Sequence, residues 1–86
     1  MRYTVLWVRR AESKLAHIWN QATDQAEVAQ AANTIDAKLR ADPENCGESR
    51  PDDLRIFIVS PLAVTFRVET DDRTARVVDV WRCRRQ

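Results

Sequence analysis

The chain has 86 residues, of which 44% are hydrophobic and 31% charged, with three tryptophans and a single glycine. So short a chain buries only ~60% of the surface of its unfolded form, so we expect residues 1–86 to form a single domain with one modest core. The net charge of +1 is too small for a protein with a broadly basic, nucleic-acid-binding surface. No apolar run approaches the ~20 residues that span a bilayer, so we expect no membrane contact and a cytoplasmic location.

The first half of the chain predicts one strand and two helices. Residues 3–8 are rich in β-branched and aromatic side chains on both faces, which is typical of a buried strand. Apolar residues then recur at helical spacing over residues 11–22, which predicts an amphipathic helix. Asp24 and Glu27 resemble a capping box, and they predict a second helix that ends near Ala41.

The second half predicts a long loop and three strands. Residues 42–53 contain the only glycine and two of the three prolines, so they form one long connection of a kind that often carries function. Residues 54–59, 64–70 and 75–82 read as strands separated by short turns, which favours an antiparallel meander. Neither the pair of helices nor the sheet can bury its apolar face alone. We therefore predict an α+β fold in the order β-α-α-β-β-β, with a helical hairpin packed on a four-stranded, mostly antiparallel sheet.

Arginine is concentrated in the second half of the chain. Residues 1–49 carry six Lys or Arg against seven Asp or Glu, whereas residues 50–86 carry eight Arg against six acidic residues. Any contact with a polyanion must therefore use a few placed arginines.

The cysteine and histidine content argues against a metal site. Cys46 and Cys83 lack the spacing of metal ligands, and in a reducing compartment we expect two free thiols. The single histidine, His17, is expected to be exposed on the first helix. With no His/Cys cluster and no glycine-rich phosphate loop, we expect no metal and no organic cofactor.

The predicted order of elements and four sequence segments together resemble a known superfamily. They are residues 47–50, 54–55, 61–68 and 80–85, which read GESR, LR, PLAVTFRV and VWRCRR. With them the chain is similar, over nearly its whole length, to the RelE/ParE superfamily of type II toxins, the plasmid stabilisation system family. The resemblance implies a compact toxin that a cognate antitoxin wraps and blocks, as a heteromer with the antitoxin or as a dimer.

The resemblance leaves the activity open. Members that resemble RelE are endoribonucleases, or mRNA interferases, which cut messenger RNA in the ribosomal A site. Members that resemble ParE inhibit DNA gyrase without being nucleases, and a shared scaffold does not choose between them. We expect ribosome-dependent mRNA cleavage, with gyrase inhibition or an inactive toxin-fold binding module as the alternatives.

The RelE-like pattern implies that Arg55, Arg67 and either Arg82 or Arg84 hold the scissile phosphate and its neighbours. Cleavage by 2′-hydroxyl attack also needs a proton acceptor and a proton donor, and a guanidinium readily supplies neither. Glu48 is the candidate base, and Asp79 is a second candidate if it faces the same side as Arg67. The alternative for Glu48 is a loop ion pair with Arg50. The hypothesis requires the three arginines to line one solvent-accessible hollow.

Further side chains are candidate nucleic-acid contacts: Arg50, Trp81, Arg84 and Arg85. Trp81 precedes the arginine-rich tail and is available to stack on a base, whereas we expect Trp7 and Trp19 in the core. Two departures weaken the nuclease assignment. The tyrosine often found after the last strand is missing, and both lysines fall on the helices.

Overall fold

The computed structural model describes residues 2–83. Its main elements are β1 (Thr4–Trp7), α1 (Arg9–Gln21), α2 (Gln25–Ala41), β2 (Glu48–Arg50), β3 (Leu54–Val59), β4 (Leu62–Glu69) and β5 (Thr74–Arg82). Two short 3-10 turns, Pro43–Asn45 and Pro51–Asp53, flank β2.

The strands form one mixed sheet in the order β1-β5-β4-β3-β2. β1 runs parallel to β5, and every other neighbouring pair is antiparallel. The predicted α+β class and element order are therefore confirmed, but the sheet has five strands and not four.

The additional strand, β2, lies in the segment predicted as a loop. Only three polar residues form it, which is too short a run for alternation to reveal. The positive φ of Gly47 turns the chain so that β2 pairs with the start of β3. A Cβ at Gly47 would overlap the carbonyl of Ile56, so this approach requires glycine.

The two helices lie close to their predicted bounds, with one correction at the start of α2. Asp24 is the N-cap residue, but its side chain makes no capping hydrogen bond. Its carboxylate instead accepts a hydrogen bond from Arg82. The predicted capping box is therefore wrong, because Oδ2 of Asp24 binds Arg82 and its buried Oδ1 makes no hydrogen bond.

The helical hairpin buries its apolar stripe against one face of the sheet. From α2, Val28, Ile35 and Leu39 are fully buried, and the sheet supplies residues such as Phe66 and Val77. This cluster is the hydrophobic core. Burial of this apolar surface, at roughly 25 cal/mol per Å², is the main term favouring the fold.

The other face of the sheet has no covering layer among residues 2–83, and Leu6 and Ile58 are exposed on it. Trp7 packs against the core as predicted. Trp19 does not, since 42% of it is exposed along the groove between the helices, and its assignment to the core is wrong. Neither helix of the described residues is long and apolar enough to cross a membrane.

Both cysteines are free thiols, as predicted. Cys46 is buried, and its Sγ lies 3.3 Å from the carbonyl oxygen of Asp42. Burial raises the pKa of the Cys46 thiol, which keeps it protonated and unreactive.

Candidate functional site

Two of the predicted phosphate-binding arginines, Arg55 and Arg67, line one hollow. It lies at the corner of the sheet where β2, the start of β3 and the end of β4 meet, and its volume is about 430 Å³. Arg50 also lines it, as do the carboxylates Glu44 and Asp53. The hollow therefore holds three cations and two anions.

Arg55 is held by the connection that precedes β3. Its Nε donates to the carbonyl of Cys46 at 2.8 Å, its Nη1 to Ser49 Oγ at 2.9 Å and its Nη2 to the carbonyl of Gly47 at 3.2 Å. None of the ion pairs within residues 2–83 includes Arg55. Since three of its five N–H donors are in use, Arg55 holds the connection against the sheet.

Arg67 is the less constrained guanidinium in the hollow. Its Nη2 donates to the carbonyl of Asp52 across 3.4 Å, which is long for a hydrogen bond. It too is absent from the ion pairs of the described residues. Arg67 is therefore better placed than Arg55 to accept an anionic partner.

Arg82 lies in a different place. It faces the helices, since its cross-strand partner is the buried Leu62, and its Nη2 lies 2.6 Å from Asp24 Oδ2. It lines a separate hollow of about 340 Å³ together with His17, which is exposed on α1 as predicted. The expected convergence of three arginines on one hollow is therefore wrong for Arg82.

The pair between Arg82 and Asp24 shifts both titrations. The hydrogen bond from Arg82 is the main reason that the pKa of Asp24 lies below its usual value. The same bond raises the pKa of Arg82. A phosphate at this hollow would have to displace a carboxylate that Arg82 already binds.

Glu48, the predicted base, lies on the exposed edge strand β2. Its Oε1 is 3.2 Å from Arg50 Nη1, so the alternative of a local ion pair is what the structure contains. Glu48 is not among the residues that line the hollow shared by Arg55 and Arg67. Its role as a base stays a prediction.

The predicted nucleic-acid contacts are only partly within the described residues. Trp81 lies on the uncovered face, opposite Ala63 of β4, and is half-buried. Arg84 and Arg85 lie outside residues 2–83.

Arg76 is not among the predicted site residues, although it lies directly opposite Arg67 across β4 and β5. Its Nε and Nη2 donate to the two carboxylate oxygens of Glu69 at 3.0 and 3.1 Å. The predicted strands 64–70 and 75–82 would have paired Arg67 with Val78, whereas β4 ends at Glu69 and β5 begins at Thr74, which pairs Arg67 with Arg76. No group of three or more metal-ligating side chains occurs in the stretch from residue 2 to residue 83.

Comparison with known proteins identifies the family. The family model described as the ParE toxin of the type II toxin-antitoxin system, parDE, matches residues 5–86. The chain belongs to the ParE toxin family. The predicted membership of the RelE/ParE superfamily is thereby confirmed, and this ParE toxin is the toxin of a type II toxin–antitoxin system. Among curated proteins, none matches it.

Three solved structures share the fold of this ParE toxin. The RelBE2 toxin–antitoxin complex from Mycobacterium tuberculosis aligns with a TM-score of 0.78 at 15% identity, covering 95% of this chain and 92% of that chain. The chromosomal ParDE system from P. aeruginosa aligns with a TM-score of 0.72 at 15% identity, with 95% and 97% covered. The isolated E. coli RelE toxin gives 0.68 at 15% identity, with 98% and 87% covered. Because these three structures include both ParE- and RelE-type systems, the shared fold does not choose a target.

Proposed function

We propose that this ParE toxin binds DNA gyrase in the cytoplasm and inhibits it without cutting nucleic acid. The observation that carries the proposal is the dispersal of the predicted nuclease groups. Arg82 lies in its own hollow with Asp24, and Glu48 is paired with Arg50 on the edge strand. Among residues 2–83, these groups do not form the joint site that 2′-hydroxyl attack requires.

The chemistry of the shared hollow supports the same conclusion. Three N–H groups of Arg55 donate to backbone carbonyls and to Ser49, so few remain to bind a phosphorane. Glu44 and Asp53 offset two of the three arginine charges there, so the net charge left to hold a phosphate is small. A toxin that acts by binding alone does not need an acid and a base at the same site.

Ribosome-dependent mRNA cleavage is the second candidate. It is favoured by one observation, the presence of Arg55 and Arg67 in the same hollow. In that case the partners would be the ribosome and mRNA, and Arg67 would be the main contact to the phosphate.

We also infer that a cognate antitoxin binds this chain. Support comes from the family description and from the M. tuberculosis RelBE2 structure, which is a toxin–antitoxin complex. Toxin activity would then depend on how much antitoxin is present.

Two assays on the same purified toxin test the proposal. In the first, excess toxin is added to gyrase and relaxed plasmid; in the second, it is added to ribosomes programmed with a defined message. We expect supercoiling to be blocked and the message to remain uncut. Normal supercoiling together with cuts in the A-site codon would reverse the assignment, and the absence of growth arrest on induced expression would favour the inactive module.

A further inference from the structure

We propose that this toxin binds gyrase through the uncovered face of its sheet. The segment of gyrase that this face binds would be acidic and would carry an apolar anchor residue. The inference rests on the proposed function. Two features of this face carry it: an apolar row, formed by Ile58, Ala63 and Trp81, and an arginine pair, formed by Arg67 and Arg76.

The apolar row runs straight across three strands. Ile58 of β3 pairs with Ala63 of β4, which pairs in turn with Trp81 of β5. Ala63 is 0% exposed, and it lies between these two large residues on neighbouring strands. Ile58 itself is 58% exposed. A continuous exposed apolar strip is typical of a protein interface.

The arginine pair carries a charge that the described residues do not fully compensate. Like charges directly opposite on neighbouring strands destabilise a sheet, and Arg67 faces Arg76 in this way. Glu69 binds Arg76 through both oxygens, whereas Arg67 makes a single long hydrogen bond to a backbone carbonyl. A carboxylate from a partner would relieve the repulsion and form short, charge-assisted hydrogen bonds with Arg67.

The spacing of the two features limits the shape of the partner. Ala63 and Arg67 are four residues apart on β4, so the apolar row and the arginine pair are separated by roughly 13 Å. A partner helix covers that distance in about two and a half turns. One short segment with an apolar side chain near one end and an acidic side chain near the other would contact both.

The composition of the face favours a protein over a nucleic acid. Strong binding to a phosphate backbone requires several uncompensated cations, and here Glu69 already neutralises one of the two arginines. The most exposed large apolar side chain in the row is aliphatic, and Ile58 cannot stack on a base as an aromatic ring does. Tryptophan and arginine, in contrast, are the residues most often found at the energetic centre of protein interfaces.

Substitutions on the two faces of the molecule test the inference. Trp81→Ala, Ile58→Lys and Arg67→Glu are each titrated against gyrase in the supercoiling assay, and their binding to immobilised gyrase is measured. We expect each to weaken inhibition and binding by about tenfold or more. Because the side chain of Ile58 is exposed and contributes little to the core, we expect Ile58→Lys to fold normally. Thermal unfolding followed by circular dichroism checks that every variant is folded.

Matched controls come from the helical face. Trp19→Ala removes a tryptophan that is also partly exposed, and Lys38→Glu makes the same charge reversal as Arg67→Glu on the exposed side of α2. Both should inhibit gyrase as strongly as the unchanged toxin.

The outcomes separate the inference from the proposed function. If the unchanged toxin inhibits gyrase and the three sheet variants inhibit it equally well, the inference is overturned while gyrase inhibition stands. If the unchanged toxin neither binds nor inhibits gyrase, the proposed function has failed and the inference fails with it. If a short single-stranded RNA binds the toxin and Arg67→Glu abolishes that binding without weakening gyrase inhibition, the face binds nucleic acid and the inference is again overturned.

Discussion

At the scale of single residues, the arginines of this toxin have different tasks although the sequence makes them look equivalent. Arg55 binds backbone carbonyls, Arg82 binds a carboxylate beside the helices, and Arg67 keeps most of its donors available. Alternation along a strand predicts which face a side chain takes. It does not predict whether a loop carbonyl or a carboxylate from 58 residues away will meet the guanidinium there.

Arg55 should therefore matter for stability more than for recognition. Arg55→Ala removes three hydrogen bonds and leaves the carbonyls of Cys46 and Gly47 with one partner fewer. We expect the free energy of unfolding, measured by urea titration, to fall by about 1–3 kcal/mol. Arg50→Ala is the control, because its ion pair with Glu48 is exposed and should hardly change the midpoint. Equal effects of the two substitutions would contradict this structural role.

At the scale of elements, the Asp24–Arg82 pair joins the end of β5 to the connection between the helices. Arg82 lowers the pKa of Asp24, so below about pH 4 the unfolded chain takes up the proton more readily than the folded chain does. The stabilisation is therefore complete above that pH and is lost as the pH falls.

The substitution Asp24→Asn tests this dependence. It should lower the free energy of unfolding at pH 7 and remove part of the further loss that the unchanged toxin shows on acidification. Urea titrations at a series of pH values between 7 and 3 measure both, with Asp71→Asn in the exposed turn after β4 as the control. An unchanged difference between toxin and variant at every pH would contradict the assignment.

The edge strand β2 depends on one glycine. In Gly47→Ala the new Cβ would meet the carbonyl of Ile56, and the positive φ of residue 47 would add strain. We expect β2 to leave the sheet, at a cost of at least about 1 kcal/mol in the free energy of unfolding. Amide hydrogen exchange of residues 48–50 should rise while exchange within β4 and β5 stays slow. Protection of β2 equal to that of the unchanged chain would refute the requirement for glycine.

At the scale of the whole molecule, the helices cover only one face of the sheet. The core that stabilises the fold therefore lies on that face, and the opposite face is available to bind a partner. Phe66 is at the centre of the covered side and is fully buried. Phe66→Ala should lower the free energy of unfolding by about 3–5 kcal/mol, a large fraction of the total for a chain of this size, as measured by urea or thermal unfolding. A loss below about 1 kcal/mol would mean that the core lies elsewhere.

Most of the fold could be predicted from periodicity, because α1, α2 and strands β3 to β5 are long enough to show it. β2 is a three-residue polar strand, and its pairing depends on positive φ angles at Gly47 before it and at Asp52 and Asp53 after it, which periodicity does not show. The exposure of Trp19 was also beyond the sequence, since the stripe of α1 is wider than the surface that α2 and the sheet cover. For the site, the family resemblance placed Arg55 and Arg67 in one hollow, but it missed the separation of Arg82, which depends on a long-range ion pair.

Gyrase supercoiling measured against increasing concentrations of purified toxin tests the central claim most directly. A toxin that acts by binding gyrase should abolish supercoiling at concentrations near that of the enzyme, and adding its antitoxin should restore it. Full supercoiling at a large excess of folded toxin would contradict the claim.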